Sequence, residues 1–301
     1  MATSIQVELH CPDGRHAAHC AQRVMEEMHR INRTMSPHLP DSELSRINRL
    51  AAQGAVPVSE EMFGLLRTAR QWSQRSQGAF DITFASVGQH YDYRQGRRPD
   101  AATLAQARQA VGWEGLGLDE GSRSVRFARP GMRLDLGGLA KGHAVNNAVA
   151  LLRQEGIAHA LVAAGGDSHL LGDRCGRPWH LAIRDPRQVG GVVAVLPLQD
   201  VAIATSGDYE RFFEEDGVRH HHVLDPRTGE SARSVRSVTV LADDGLTTEA
   251  LSKTVFVLGA QRGLALINSL PGVDAVVVDD QGRLHHSNGL QGLNAPQEGM
   301  R

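Results

Sequence analysis

The sequence predicts an α+β fold, and two observations carry this prediction. Apolar residues recur at helical spacing over 17–33 and 60–76. Later in the chain, short apolar runs typical of buried strands lie at 192–198, 201–205, 235–242 and 273–279. Because helices and strands follow one another in mixed rather than strictly alternating order, an α+β arrangement is favoured.

The remaining elements follow from local signals. The first ten residues alternate like a strand. Residues 90–100 contain three arginines and a proline and predict an exposed loop. Thr247 or Thr248 is expected to cap a helix over 249–258 that Gly259 ends.

Length and composition limit the possible functions. At 301 residues and 41% hydrophobic content, the chain can bury a substantial core in one or two domains. A net charge of −2 argues against a nucleic-acid surface or a polybasic membrane anchor. No stretch is expected to approach the roughly 18 apolar residues of a membrane span.

The expected location is the cytoplasm. The first residues have neither the basic nor the apolar region of a secretory signal, although export remains open if the true start lies upstream. Cys11, Cys20 and Cys175 lack metal-type spacing and are expected to be reduced thiols, which suits the cytoplasm.

The most informative stretch is 135–167, where two glycine pairs, a lysine and two carboxylates flank one helix. Lys141 and Gly142 open this helix, and Gly156 ends it before a buried strand over 157–164. Helix N-termini offer unpaired N–H groups, so a phosphate is expected here beside Lys141. The alternative is an ordinary helix–strand unit with glycine turns.

A second cluster follows the first. Residues 202–209 predict a strand that runs into a hydroxyl-rich turn, and residues 225–229 predict a turn of their own. Alternation along a strand would send His220 and His222 to one face and His221 to the other. Any single histidine here is alternatively a surface group or a satisfied core group.

Six blocks together resemble the ApbE family of FAD:protein FMN transferases. They are MSPHLPDSELSRIN (35–48), GAFDIT (78–83), DLGGLAKG (135–142), AGGD (164–167), ATSGDYER (204–211) and HHVLDPRTG (221–229). Each block alone is weak, but they occur in the family's order and span nearly the whole chain. The resemblance implies one domain over 1–301 with a T-fold-like architecture, two related sheet-and-helix halves with the flavin site between them.

The activity that the resemblance implies is phosphoryl transfer. A threonine or serine hydroxyl of an acceptor flavoprotein attacks the FMN-side phosphorus of FAD, and AMP leaves. Such chemistry needs charge neutralisation, a base and in-line positioning. Lys141 is the candidate for part of the first, and His222 is the candidate base because imidazole accepts a proton near neutral pH.

The resemblance also implies where FAD binds. We expect a cleft lined by the 135–142 turn, by 165–167 and by 205–209. A cap or turn is the alternative role for Asp81. The residues expected to contact FAD are Met1, His38, Ala79, Phe80, Asp81, Asp135, Lys141, Gly165, Gly166, Asp167, Thr205, Ser206, Gly207 and Leu224.

The magnesium site of the family is altered in this sequence. Family members have an Asp and a Thr four residues apart on a helix, together with a backbone carbonyl in the glycine turn, here at Gly138. Glu249 stands at the Asp position and Lys253 at the Thr position. A protonated lysine has no lone pair and cannot bind the metal. His38, His143 and Asn146 are further departures from the family pattern.

Several alternatives for this region stay open. Lys253 takes the place of the metal, or Asp243 or Asp244 coordinates it instead, or Glu249 and Lys253 form an ordinary surface ion pair. Three functions follow: flavin transferase, FAD pyrophosphatase, or an FAD-binding carrier without chemistry.

Overall fold

The structure, a computed structural model, describes residues 3–291. Its helices are α1 Gly14–Met35, α2 Glu43–Leu50, α3 Glu60–Arg75, α4 Ala85–Gly88, α5 Ala101–Arg108, α6 Ala140–Gln154 and α7 Gly245–Asn268. Its strands are β1 Ile5–Leu9, β2 Val56–Pro57, β3 Leu116–Asp119, β4 Ser124–Phe127, β5 Ala160–Ala164, β6 Asp167–Leu171, β7 Trp179–Arg184, β8 Val192–Leu198, β9 Val201–Gly207, β10 Phe212–Glu215, β11 Val218–His221, β12 Val235–Ala242, β13 Asp274–Asp279 and β14 Leu284–His286. The predicted α+β class is confirmed.

The chain forms two compact units. Within the described residues, unit 1 contains the chain up to Arg30, then Ala140–Gly207, and then the chain from Ser234 onward. Unit 2 contains Ile31–Leu139 and Asp208–Arg233. The boundary therefore runs through the DLGGLAKG block, between Leu139 and Ala140. The single domain over 1–301 stays a prediction.

Unit 1 is built on a seven-stranded antiparallel sheet in the order β1-β5-β6-β9-β12-β13-β14. Helices α6 and α7 pack on this sheet and on each other. The β7–β8 hairpin packs with Ile183 and Leu196 against Leu241 of β12 and Val276 of β13. Strand β12 is thus covered on both faces, which explains why nearly all of its residues are buried.

Two predictions for unit 1 need correction. Strand β9 extends to Gly207, so Ser206 and Gly207 belong to the strand and not to the turn predicted after residue 205. Helix α7 begins at Gly245, and its cap is Asp244, whose Oδ1 accepts from the Thr247 N–H at 2.9 Å, rather than either threonine. The predicted stop at Gly259 is a break inside α7, where Gly259 has φ 80°.

Helix α7 is also longer and more apolar than expected. By length and composition, Gly245–Asn268 is able to cross a membrane. However, 56% of its most apolar 18-residue stretch is buried inside the protein. Core helices of globular domains can have the same length and hydropathy as a membrane-spanning helix. We therefore describe α7 as a core helix that packs on β9, β12 and β13.

Unit 2 contains α2 to α5 and two small sheets, β2-β4-β3 and β10-β11. Helix α3 confirms the helix predicted over 60–76, with Ser59 as its cap and Met62 and Leu66 in the core. Strand β11 ends at His221. The alternation predicted for the three histidines therefore does not reach His222, and His220 and His221 are both buried.

Candidate functional site

A buried charged cluster lies at the beginning of helix α6 in unit 1. Lys141 Nζ lies 2.9 Å from Asp167 Oδ2 and also pairs with Glu249 Oε1. Glu249 is fully buried and Asp167 nearly so. Burial alone would lower the pKa of Lys141, but the two carboxylates raise it above its ordinary value, so its ammonium stays charged.

Close backbone packing between α6 and α7 brings Glu249 into this cluster. A Cβ on Gly142 would lie 2.0 Å from Gly245 O, so only glycine permits this approach. The Gly142 N–H donates to Glu249 Oε2 at 2.8 Å, and Asn146 Oδ1 accepts from the Gly245 N–H at 2.7 Å. Glu249 therefore occupies an N–H of the α6 terminus that the sequence assigned to a phosphate.

The ends of β5, β6 and β9 meet beside this cluster. Gly165 and Gly166 connect β5 to β6, and Gly166 O accepts from the Thr205 N–H at 2.8 Å. A Cβ on Gly166 would lie 2.6 Å from Thr205 O. Asp167 Oδ1 is buried and has no hydrogen-bond partner among residues 3–291. It is an acceptor that a ligand can use.

The two hydroxyl residues of β9 point in opposite directions. Ser206 Oγ contacts Ser252 Oγ at 2.8 Å and accepts from Lys253 Nζ at 2.6 Å, both on α7. Thr205 Oγ1 instead contacts Thr239 Oγ1 of β12 at 2.9 Å. Since successive strand residues face opposite sides of a sheet, only Ser206 shares the helix-covered face with Lys253.

The sequence did not single out two residues of this cluster, Ser252 and Gly245. Ser252 follows Glu249 by three residues and therefore lies on the same face of α7. This spacing could have identified Ser252 as a neighbour of Glu249. Gly245 carried no signal of its own, because its role depends on contact with Gly142, far away in the chain.

Asp81, in unit 2, is held by the fold around it. Its Oδ1 accepts from the Thr83 N–H at 2.8 Å and the Thr83 hydroxyl at 2.7 Å, and its Oδ2 accepts from the Trp113 N–H at 2.9 Å. Burial raises its pKa, against the effect of these hydrogen bonds. Asp81 caps the 3-10 helix Ile82–Phe84, as the alternative interpretation of the sequence proposed.

The other predicted residues of unit 2 lie in several environments. Ala79, Phe80 and Leu224 are buried, and His38 is exposed in the turn after α1. Gly138 is buried, while Asp135 is half-buried and accepts from the Gly137 N–H at 2.6 Å. Met1 lies outside the described residues. The roles of all these residues toward FAD stay predictions.

The neighbouring histidines His221 and His222 differ in their surroundings. His221 is buried, with its Nε2 2.6 Å from Ala232 O and its N–H 2.8 Å from Ser231 Oγ. Burial lowers its pKa, although the Ala232 carbonyl acts in the opposite direction. His222 is half-buried and follows the end of β11. It is thus the less buried of the two residues, although its Nδ1 is itself buried.

Comparison with known proteins assigns the family. The ApbE family profile matches residues 1–277. A FAD:protein FMN transferase from Treponema pallidum is 34% identical over 274 residues, covering 85% of this chain and 76% of its own. One from Vibrio cholerae is 34% identical over 267 residues, covering 86% and 78%.

Solved structures agree with the sequence comparison. The ApbE protein of Thermotoga maritima has a TM-score of 0.86 at 32% identity and covers 95% of this chain and 94% of its own. The flavin transferase ApbE from Vibrio cholerae has a TM-score of 0.85 at 28% identity, with coverage of 98% and 96%. The chain belongs to the ApbE family.

The donor set does not fit the magnesium ion of the ApbE family. Both oxygens of Glu249 accept hydrogen bonds, from Lys141 and from the Gly142 N–H. Lys253 carries a positive charge and has no lone pair when protonated. Since Glu249 is fully buried, an ordinary surface ion pair is ruled out. Asp244 uses its Oδ1 to cap α7.

Proposed function

We propose that this chain transfers the FMN moiety of FAD to a threonine or serine hydroxyl of an acceptor flavoprotein and releases AMP. Membership of the ApbE family and the names of the relatives support this proposal. The observation that carries it for this chain is the ion-paired Lys141–Asp167–Glu249 cluster, with both carboxylates buried, beside a glycine turn. Ion-paired groups placed where backbone leaves room for a ligand are a frequent feature of catalytic sites.

The proposed reaction exchanges one ester bond for another. The acceptor hydroxyl oxygen forms a bond to the FMN-side phosphorus, and the bond from this phosphorus to the bridging oxygen breaks. The electron pair of that bond leaves with AMP. The hydroxyl proton passes to His222, which we propose as the general base.

Within unit 1, two ammonium groups act on the phosphates. Lys253, anchored on Ser206, supplies a positive charge at the position where relatives carry a metal ligand. Lys141 fixes Asp167 and Glu249 and offsets their negative charge. The buried Asp167 Oδ1 accepts a hydrogen bond from the nucleotide.

We also propose a set of nucleotide-contacting residues. The backbone of 165–167 and of 205–207 approaches FAD, because neither glycine of the β5–β6 turn tolerates a side chain. Flavin contacts are proposed for the unit 2 positions and for the N-terminal methionine. These are Met1, His38, Ala79, Phe80, Asp81, Asp135 and Leu224.

We propose that transfer depends less on Mg²⁺ than it does in relatives with an Asp and a Thr at these positions. An ammonium and a dication repel one another, so one carboxylate does not hold both closely. The variant Lys253→Thr should gain Mg²⁺-dependent turnover, measured as AMP release across a Mg²⁺ titration. The matched control is Ser252→Ala, which keeps Lys253. Tight Mg²⁺ binding by the unmodified protein would contradict this proposal.

We propose that the protein works in the cytoplasm with an acceptor flavoprotein and without nucleic acid or a membrane span. Three free cysteines and a net charge of −2 support this placement. The acceptor is expected to present its threonine or serine on an accessible segment.

One experiment separates the three candidate functions. The purified protein is incubated with FAD and a flavin-acceptor domain, with and without Mg²⁺, and both AMP and the acceptor mass are measured. A transferase gives AMP together with an acceptor heavier by FMN. AMP and free FMN without acceptor modification indicate a pyrophosphatase, with water as the attacking group. Bound FAD without AMP indicates a carrier, which the altered metal site favours.

A further inference from the structure

A second group of ligating side chains lies at the other end of helix α6. His16 and Cys20 are four residues apart on α1, and Glu155 directly follows α6. One donor atom from each of the three lies within 4.8 Å of the others. Cys20 is fully buried, whereas His16 and Glu155 are half-buried. Fifteen helical residues, about 22 Å, separate this cluster from the Lys141 end of α6.

A backbone carbonyl selects the tautomer of His16 that metal binding needs. His16 Nε2 lies 2.9 Å from Glu155 O, and because a carbonyl oxygen only accepts, Nε2 carries the hydrogen. The lone pair is then on Nδ1. Metal-bound histidines usually donate their other N–H in this way. Cys20 Sγ lies 3.9 Å from Nδ1 and 3.7 Å from Nε2, so the imidazole must turn slightly to direct Nδ1 at a metal beside the sulfur. Tetrahedral Zn²⁺, with bonds of about 2.3 Å to sulfur and 2.0 Å to nitrogen, separates these ligands by about 3.5 Å.

One cation already competes for this cluster. Arg23, one further turn along α1, pairs with Glu155 Oε1. The Arg23 side chain is 39% exposed, so the guanidinium can move into water without being buried elsewhere. A metal ion that binds Glu155 must displace this ion pair.

We propose that His16 Nδ1, Cys20 Sγ and a Glu155 carboxylate oxygen bind one borderline-soft divalent metal of the Zn²⁺ class, with water as fourth ligand. On binding, the Cys20 thiol releases its proton to solvent, the thiolate coordinates, and Arg23 leaves Glu155. The metal links α1 to the C-terminal end of α6 and stabilises unit 1. The nitrogen, sulfur and oxygen donor set favours Zn²⁺ over Mg²⁺, which prefers oxygen ligands.

The test uses the full chain after treatment with a chelator. Co²⁺ is titrated as a spectroscopic probe, then displaced by Zn²⁺, and Zn²⁺ binding is measured by calorimetry. We expect one metal per chain, a thiolate-to-Co²⁺ charge-transfer band and the visible bands of four-coordinate Co²⁺. Zn²⁺ should also raise the melting temperature.

Variants identify the ligands and the competitor. Cys20→Ala should lose the charge-transfer band, and His16→Gln, at a half-buried position that tolerates the change, should weaken Zn²⁺ binding at least tenfold. Arg23→Gln should bind Zn²⁺ several-fold more tightly because Glu155 loses its competing cation. The thiol controls Cys11→Ser and Cys175→Ser should keep the band.

Two results would overturn the proposal. One is the absence of Zn²⁺ binding to the unmodified protein in the calorimeter. The other is a band that survives Cys20→Ala and disappears in Cys11→Ser or Cys175→Ser. The metal would then belong to the surface cavity lined in part by His10, Cys11, His159 and Cys175.

Discussion

Two buried carboxylates, Glu249 in unit 1 and Asp81 in unit 2, are held in different ways. Glu249 pairs with the ammonium of Lys141 and accepts from one backbone N–H. Asp81 accepts from two backbone N–H groups and the Thr83 hydroxyl, all within its own unit. Burial raises the pKa of both. A carboxylate that accepts from backbone and hydroxyl groups is explained by the fold. One that depends on a half-buried side-chain cation places two charges where chemistry can use them.

The largest expected effect comes from removal of the cation in unit 1. Lys141→Met leaves the buried carboxylates of Asp167 and Glu249 without the ammonium that they share, which should lower the free energy of unfolding by about 3–5 kcal/mol. FMN transfer should be lost, even in the folded fraction. Urea unfolding and acceptor mass measure the two effects.

A surface ion pair in the same unit serves as the control for Lys141. Arg153 and Asp200 lie 3.0 Å apart and are both about half exposed. Arg153→Met should change the free energy of unfolding by less than about 1 kcal/mol. Equal losses in the two variants would mean that the Lys141 cluster is no more than an ordinary ion pair.

The next effect compares the two neighbouring histidines. His222→Ala should lower the transfer rate about 10²–10⁴-fold, with FAD affinity and stability nearly unchanged, as for a lost general base. His221→Ala should instead lower the free energy of unfolding by about 1–3 kcal/mol, because it leaves buried polar groups unsatisfied. Normal transfer by His222→Ala would assign the base elsewhere, with Asp225 as the next candidate.

The fold of this protein was predictable where the signal was local. Helical spacing identified α1 and α3, and apolar runs identified β8 and β12. The cap of α7 was missed because an aspartate, a glycine and two threonines offered competing caps within five residues. The extent of β9 was missed because Ser206 and Gly207 resemble a turn, while pairing with β12 keeps them in the sheet.

The candidate site was predictable by residue type but not by partner. Lys141, Asp167 and Glu249 were each singled out from the sequence. The ion pairs of Lys141 were not foreseen, since they depend on how closely Gly142 and Gly245 bring two distant helices together. The sequence offered two roles for Asp81, a flavin contact and a helix cap. The capping role became visible only from its hydrogen bonds to Thr83 and Trp113.

A smaller effect is expected when the buried carboxylate of unit 2, Asp81, is altered. Asp81→Asn keeps one acceptor oxygen for Thr83 but loses the acceptor for the Trp113 N–H. The free energy of unfolding should fall by about 1–3 kcal/mol. FAD affinity should fall as well, because Asp81 is also a proposed flavin contact. Urea unfolding and a fluorescence titration of FAD measure these quantities. Lower stability with unchanged FAD affinity would contradict the proposed flavin contact and leave Asp81 with its capping role alone.

The last expected effect is a pH dependence that belongs to unit 1. Burial, reinforced by Asp167, raises the pKa of Glu249 from 4.5 to about 7, against the effect of Lys141 and Lys253. The folded state then keeps a proton that the unfolded chain has lost. This contribution to stability is complete below about pH 4.5 and disappears as the pH rises through 7.

For a second buried group in the same unit, the contribution to stability changes with pH in the opposite direction. Burial lowers the pKa of His169 from 6.5 to about 4, so its contribution is complete above pH 6.5 and is lost as the pH falls through 4. The contributions of Glu249 and His169 to stability partly cancel between pH 4.5 and 6.5. The pH profile of the unmodified protein alone therefore does not separate them. The difference in unfolding free energy between the unmodified protein and Glu249→Gln isolates Glu249, because His169 is common to both. That difference should decrease from pH 4.5 to 7 in urea titrations. A difference that increases over this range would mean that Glu249 is ionised throughout and that the attraction of Lys141 outweighs the burial of the carboxylate.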